Sequence, residues 1–253
     1  MINNKKILCV ITARKGSKGI PGKNHRLLLD KPLFMWSTLS AIKSKYIDQI
    51  VISSDCDSVK RCFFDFLSKE YMIYSKKDEY DNLHFIHRPP EYSTDTSKNE
   101  EALIHAYVNF VEKLNFNPDI IINLQPTSPI RNNNLIDNCI EEYSKGDYDS
   151  LLTGEKMTPF LWQKKNKEWK YTVDKNNCCK RKMRQQFKEN EMLWHDCGSI
   201  YIVDTEVLLK TNCRIGKKPC IFETDKFQSI QIDEEDDFLI IENLIATKNI
   251  SLI

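Results

Sequence analysis

The chain has 253 residues, 41% of them apolar, with 37 Lys and Arg against 36 Asp and Glu and a formal net charge of +1. That length suits one α/β domain with a modest elaboration, and the balanced charge excludes a global basic field for nucleic acid or an anionic membrane surface. No apolar run is long enough to span a bilayer, and the opening Met1–Lys6 stretch is too weak for a signal peptide.

The nine cysteines are odd in number and scattered, with no Cys-x-x-Cys pair. They argue against a disulfide framework and a zinc site, and suit reduced thiols in a cytoplasmic protein.

Residues 5–12 read as a first buried strand around Ile7-Leu8-Cys9-Val10. It runs into a loop from Ile11 to Asn24, where Gly16, Gly19 and Gly22 let the backbone turn tightly and approach a ligand. Arg14, Lys15, Lys18 and Lys23 set positive charge around that backbone. Exposed amides and cations at a strand end suit a triphosphate. A Walker loop does not fit, because five residues separate Gly16 from Gly22 and Asn24 stands where Ser or Thr would hold magnesium. A dinucleotide fingerprint fails on its glycine spacing.

Lys31-Pro32 is expected to open a helix with Pro in its first turn, striped by Leu33, Trp36, Leu39 and Ile42. Asp48–Ser54 reads as a second strand, and Asp57 as the cap of a helix carrying Val59, Phe63 and Phe66. Tyr71–Tyr74 reads as a short strand, followed by a charged loop over 76–82. Strands alternating with amphipathic helices imply parallel β-α-β units, with the ligand beyond the carboxyl ends of the strands.

Asp95, Thr96 and Ser97 suit a helix cap, with Glu100 completing a capping box for a helix over 97–114. Asp119–Leu124 is a strongly apolar strand ending in a rigid two-proline loop, Gln125–Arg131. A helix over 134–145 and a strand over 149–153 follow. From Glu155 to Asp196 the pattern loosens, and Trp162, Trp169, Tyr171 and Val173 alternate like a hairpin. A strand around Gly198–Ile202, a short helix at 207–209, a strand over 219–223 and a closing helix over 236–246 complete the chain.

The loop Arg14-Lys15-Gly16-Ser17-Lys18-Gly19-Ile20-Pro21-Gly22-Lys23-Asn24 resembles the signature of the CMP-sugar synthetases, the acylneuraminate cytidylyltransferases and their octulosonate relatives. Arg88-Pro89 with Ser93-Thr94-Asp95-Thr96 resembles a second signature of that family, and Leu124–Arg131 a third. Gly198–Ile202 and Ser229–Asp233 resemble two more.

The resemblance implies a Rossmann-like nucleotidyltransferase fold, a mostly parallel mixed sheet flanked by helices. It implies one domain over 1–253, with a dimerisation and sugar-pocket subdomain over 155–196. It also implies transfer of CMP from CTP to a 2-keto sugar acid such as N-acetylneuraminate or legionaminate, with Mg²⁺ as cofactor, pyrophosphate as leaving group and a homodimer as the assembly. Pseudaminate, an octulosonate, or a regulator without turnover are the alternatives.

By the same resemblance, Arg14, Lys23 and Asp233 are expected to carry catalysis, with Asp233 as metal ligand. Ala13, Arg14, Gly16, Ser17, Lys18, Lys23, Asn24, Arg88, Asp95, Thr96 and Asn99 are expected at the nucleotide. Gln125, Thr127, Ser128, Arg184, Gln185 and Tyr201 are expected at the sugar acid. Asp233 also suits a helix cap, with Asp236 and Asp237 close by. The chain departs from the family pattern at Gln231, where an Asp is usual, and at His195-Asp196-Cys197. Gln is neutral and binds Mg²⁺ less strongly than a carboxylate, which bears on a second metal site.

Overall fold

The computed structural model describes residues 2–17, 19–74, 80–132, 134–172, 181–248 and 251–253. Lys18, the 76–79 part of the charged loop, Val173 and the Cys178-Cys179 pair lie outside the described residues.

The elements run β1 (Ile7–Thr12), β2 (Leu27–Leu28), β3 (Lys31–Pro32), α1 (Leu33–Ile42), β4 (Gln49–Ser54), α2 (Asp57–Tyr74), β5 (Leu83–His87), α3 (Asn99–Leu114) and β6 (Ile120–Leu124). The second half runs α4 (Leu135–Lys145), β7 (Ser150–Met157), β8 (Trp162–Lys165), β9 (Glu168–Tyr171), β10 (Leu193–Asp204), α5 (Thr205–Thr211), β11 (Pro219–Glu223) and α6 (Glu235–Lys248).

Seven strands form one sheet in the order β11-β7-β10-β6-β1-β4-β5. Every neighbouring pair is parallel except the two that involve β10. The mostly parallel mixed sheet expected from the sequence is therefore present. Its central strands are mostly apolar, with few polar breaks such as Asn123 in β6, because helices cover both faces.

Alternate residues of β1 serve the two faces. Ile7, Cys9 and Ile11 join Phe34 of α1, Phe63 of α2 and Ile140 of α4, while Leu8 and Val10 join Leu103 and Phe110 of α3 and Leu208 of α5. A third cluster lies at the end of the sheet. It gathers Ile20, Ile130 and Ile232 from three loops with Leu33 and Trp36 of α1, Phe238 and Ile241 of α6, and Leu252.

Four local expectations are corrected. Tyr71–Tyr74 is the last turn of α2 and not a strand, since no Gly or Pro interrupts the chain after Asp57 and the helix propagates. Lys31-Pro32 pairs with β2, and α1 begins only at Leu33, with Pro32 at its N-cap. Helix α3 starts at Asn99, two residues into the expected 97–114 span, with Lys98 and not Ser97 at its N-cap: the Lys98 amide donates to the Glu101 carboxylate, and Ser97 Oγ instead donates to the Glu91 carbonyl. The strand begun near Asp149 continues to Met157 because β10, itself starting at Leu193, offers it a long partner.

The expected hairpin is present as β8–β9. Its two turn residues, Asn166 and Lys167, have φ of 51° and 68°, the left-handed pair that matches the twist of a two-residue hairpin.

Candidate active site

Parallel strands end together, so β1, β5 and β6 deliver their following loops to one edge of the sheet. A cleft of about 500 Å³ opens there. Arg14, Gly16, Ser17, Gly19, Lys23 and Asn24 line it from the loop after β1, Arg88 from the end of β5, Lys98 and Asn99 from the start of α3, Gln125, Pro126 and Thr127 from the loop after β6, and Asp233 from the segment before α6.

The loop after β1 is pinned at several points. Asn24 Nδ2 donates to the Arg14 carbonyl at 2.8 Å, closing the loop on itself. The Lys15 amide donates to Asp55 at 2.7 Å. Gly19 is a close approach: a Cβ there would stand 2.2 Å from the Asp233 carbonyl oxygen. This is a packing demand that no other residue meets without displacing the 232–233 segment.

The cations are held in place by backbone oxygens. Lys23 Nζ, on a side chain only 10% exposed, donates to the Ile232 carbonyl at 2.7 Å and meets Asp233 Oδ1 at 3.1 Å. Arg14 Nη1 donates to the Thr94 carbonyl at 2.8 Å and faces Asp95 at 3.3 Å. Arg88 is buried, with Nε and Nη2 donating to Ser53. Burial pulls its guanidinium down to about 10; Asp55 opposes that pull and Arg14 adds to it.

The floor is set by another buried cation. Arg131 donates to the carbonyls of Gln125 at 2.7 Å and Ser199 at 2.8 Å and to Ser37 Oγ at 2.8 Å. It ties the end of β6 to β10 and to α1.

Other predicted residues stand apart from this lining. Ala13 is fully buried and continues the sheet toward Ser53. Asp95 and Thr96 are exposed on the loop before α3. Ser128 is buried and its Oγ donates to the Cys197 carbonyl at 3.1 Å. Tyr201 is buried, its hydroxyl donates to Asp196 at 2.8 Å, and burial with that carboxylate raises its pKa to about 12. Arg184 and Gln185 form an exposed single turn, and His195 is exposed on β10.

Asp233 does not cap α6 with its side chain. Asp237 accepts from the Asp233 and Glu234 amides at 2.7 Å each, leaving the Asp233 carboxylate, 68% exposed, to Lys23. Among the described residues no group of three or more His, Cys, Asp or Glu could hold a metal ion. Asp233 at the cleft suits a hydrated ion carried in by phosphates, not an all-protein cage.

Tyr92, Thr94 and Lys98 also line the cleft from the Arg88–Asn99 segment, and Asn123, not singled out from the sequence, supports Asn99. Asn123 is buried in β6, accepts from Asn99 Nδ2 at 2.7 Å and donates to the Val10 carbonyl at 3.1 Å. Its signal was a lone amide in the run Ile120-Ile121-Ile122-Asn123-Leu124.

Among the described residues no helix is long and apolar enough to cross a membrane.

A family model described as cytidylyltransferase matches residues 8–83. The post-translational flagellin modification protein B of Campylobacter coli is 26% identical over 248 residues, 96% of this chain and 97% of its own length. The CMP-N,N'-diacetyllegionaminic acid synthase of Legionella pneumophila is 25% identical over 254 residues, 98% of this chain and 100% of its own. The N-acylneuraminate cytidylyltransferase of Streptococcus agalactiae is 27% identical over 236 residues, 92% of this chain but 52% of its own length, so the chain spans about half of that relative. A solved structure of CMP:2-keto-3-deoxy-manno-octonic acid synthetase complexed with CTP shares the fold, with a TM-score of 0.64 at 14% identity over 96% of this chain and 99% of its own.

Proposed function

We propose that this chain, which is similar over nearly its whole length to a CMP-N,N'-diacetyllegionaminic acid synthase, transfers CMP from CTP to a nonulosonic acid of the N-acetylneuraminate or legionaminate kind. The observation that carries this reading is the convergence of Arg14, Lys23 and Arg88, from two strand ends and one loop, on a cleft whose floor is Gln125–Thr127. The anomeric oxygen of the acid bonds to the α-phosphorus, the α–β bridge bond breaks, pyrophosphate leaves and the hydroxyl proton passes to solvent.

Such a displacement depends on positioning and on neutralising phosphate charge. Lys23 is well suited, since its ammonium is already fixed by the Ile232 carbonyl and needs no reorganisation. Arg14 exchanges its exposed Asp95 contact for a phosphate oxygen. Arg88 and the loop up to Asn99 surround the base. Asp233 would hold Mg²⁺ together with the phosphates, and the ion when bound supplies further positive charge at their oxygens. Ser128 and Tyr201 act from behind the surface, by fixing Cys197 and Asp196.

The relatives named for N-acylneuraminate and diacetyllegionaminate support an acylated nonulosonic acid over an octulosonate. We also propose that the exposed β8–β9 hairpin, with Trp162 and Trp169, belongs to a 155–196 arm that pairs two copies of the chain.

The test is pyrophosphate release from CTP, UTP, ATP and GTP against a panel of 2-keto sugar acids with Mg²⁺ present. Release is expected with CTP and a nonulosonic acid. Equal rates with all four nucleotides, or no release with any pair, would overturn the proposal.

A further inference from the structure

Gly198 sits on β10 with φ of +62°, where a side chain is strained. Its amide donates to Asp196 Oδ1 at 3.0 Å, and the same carboxylate accepts the Tyr201 hydroxyl, so the strand is locked in this shape. The bare Cα faces two side-chain amides. A Cβ built on it would stand 3.0 Å from Gln125 Oε1 and 3.1 Å from Gln231 Oε1. Gln125 and Gln231 are both half-buried, and among the described residues neither amide group makes a hydrogen bond.

Two uncommitted amides around a bare backbone patch form a small neutral subsite. The cleft cations lie elsewhere: Lys23 is held at Ile232 and Asp233, Arg14 at Thr94 and Asp95, and Arg88 at Ser53, while Arg131 is buried behind the patch with its donors on the Gln125 and Ser199 carbonyls and Ser37 Oγ. The one carboxylate beside Gly198, that of Asp196, is engaged by the Gly198 amide and by Tyr201. The patch is therefore unsuited to the acid's carboxylate or to phosphate, and suited to a neutral group that both donates and accepts.

We propose that Gln231, with Gln125 and the bare Cα of Gly198, recognises an acylamino substituent of the sugar acid. A glutamine amide can accept from the substituent's N–H or donate to its C=O, and with no Cβ at Gly198 the Gln231 amide packs beside that of Gln125, which lines the cleft. Gln231 then serves as a specificity-determining residue on the sugar side and not as a weak metal ligand. The preceding and following residues leave it that role. Ile230 and Ile232 are packed in the third cluster, and the Ile232 amide donates to the Thr127 carbonyl at 2.8 Å, which fixes the segment that carries Gln231.

This inference rests on the proposed cytidylyl transfer, and its test separates from it. The parent protein and Gln231→Leu are assayed for pyrophosphate release from CTP with two acids. One is N-acetylneuraminate, and the other is the analogue with a hydroxyl in place of the acetamido group. Release by the parent with either acid tests the activity; the ratio between acids tests the subsite.

The parent is expected to favour the acylated acid, and Gln231→Leu to lose about tenfold in kcat/KM on that acid alone, with its KM rising and the affinity for CTP unchanged. Gln231→Asn, which keeps the amide but shortens its reach, is expected to lie between the two, and CTP affinity reports on folding in both variants. An equal loss on both acids, or no preference in the parent, would overturn the subsite. So would a Gln231→Asp variant that shifts the Mg²⁺ concentration for half-maximal rate while leaving the acid preference intact.

Discussion

The cleft and the hairpin differ most in what lies beneath them. Under the cleft, Ile20, Ile130 and Ile232 come from three separate loops and are each at most 1% exposed. They share a cluster with Trp36 and Phe238, so loops distant in sequence rest on one small core. Among the described residues of the hairpin only Tyr171 is buried; Trp162 is 42% exposed and Trp169 63%. Arg181 lies over the Tyr171 ring at 5.9 Å and Lys164 over Trp169 at 5.6 Å, contacts of side-chain surfaces with water at their backs. A binding surface that must be shaped before its ligand arrives needs the first construction. A surface that another chain will cover can use the second, and its exposed tryptophans are then anchors awaiting burial.

The comparison breaks most severely at Ile232. Truncating a fully buried Ile to Ala costs about 2–5 kcal/mol through lost burial and the cavity left behind. Ile232→Ala is expected to show that loss in denaturant titration and, in the fraction still folded, weaker CTP binding as well. Unchanged CTP affinity in the folded variant would show that the third cluster stabilises the chain without shaping the cleft.

A smaller effect is expected at Tyr201. Tyr201→Phe removes the hydrogen bond to Asp196, about 1 kcal/mol at neutral pH. The pH dependence gives a second readout. The Tyr201 hydroxyl has a folded-state pKa of about 12 against 10.0 as its ordinary value, so the folded state binds more protons between those limits. Its contribution is complete below pH 10 and is lost as the pH climbs toward 12. Cys9, raised by burial from 9.0 to about 12, adds its own alkaline loss in parent and variant alike. Tyr201→Phe should therefore show a shallower fall of stability above pH 10 than the parent. Parallel curves would mean that the hydroxyl titrates as it does in the unfolded chain.

The smallest stability effect is expected at Trp169. An exposed hairpin substitution, Trp169→Ser, should stay within about 0.5 kcal/mol in denaturant. If the arm pairs two copies, the same variant lowers the mass seen by light scattering at micromolar concentration toward that of one chain. A parent protein that is already a single chain under those conditions would remove the contrast.

The parts of the site that were legible in the sequence are those marked by punctuation. Gly19 marked a close approach and Gly22 a left-handed turn in the loop after β1, and the prolines of Gln125–Arg131 a rigid turn after an apolar strand. The parts that were not legible depend on which way an irregular segment faces. Lys98 lines the cleft only because α3 begins at Asn99, a boundary set by the Glu101 contact and not by Ser97. Gln231 was read beside Asp233 as one more position in a metal pattern. In the folded chain the two diverge, with Asp233 at Lys23 and Gln231 at Gly198. At Tyr71–Tyr74 the aromatic and branched residues suggested a strand, but local propensity yielded to the helix already under way.

Strand β10 belongs to both constructions. Its first residues, Leu193–Asp196, pair with β7 beyond the main core, and its last, Ile200–Asp204, lie between β6 and β7 in the middle of the sheet; the register shifts between Asp196 and Tyr201, around Gly198. One continuous strand thus crosses from a region that can open locally to one that opens only with the whole protein. In deuterium exchange its amides should divide at Gly198, the outer ones labelling through fraying and the inner ones only as fast as the chain unfolds. A partner seated on the arm would move that dividing line outward, and the amides beside the cleft would slow with it.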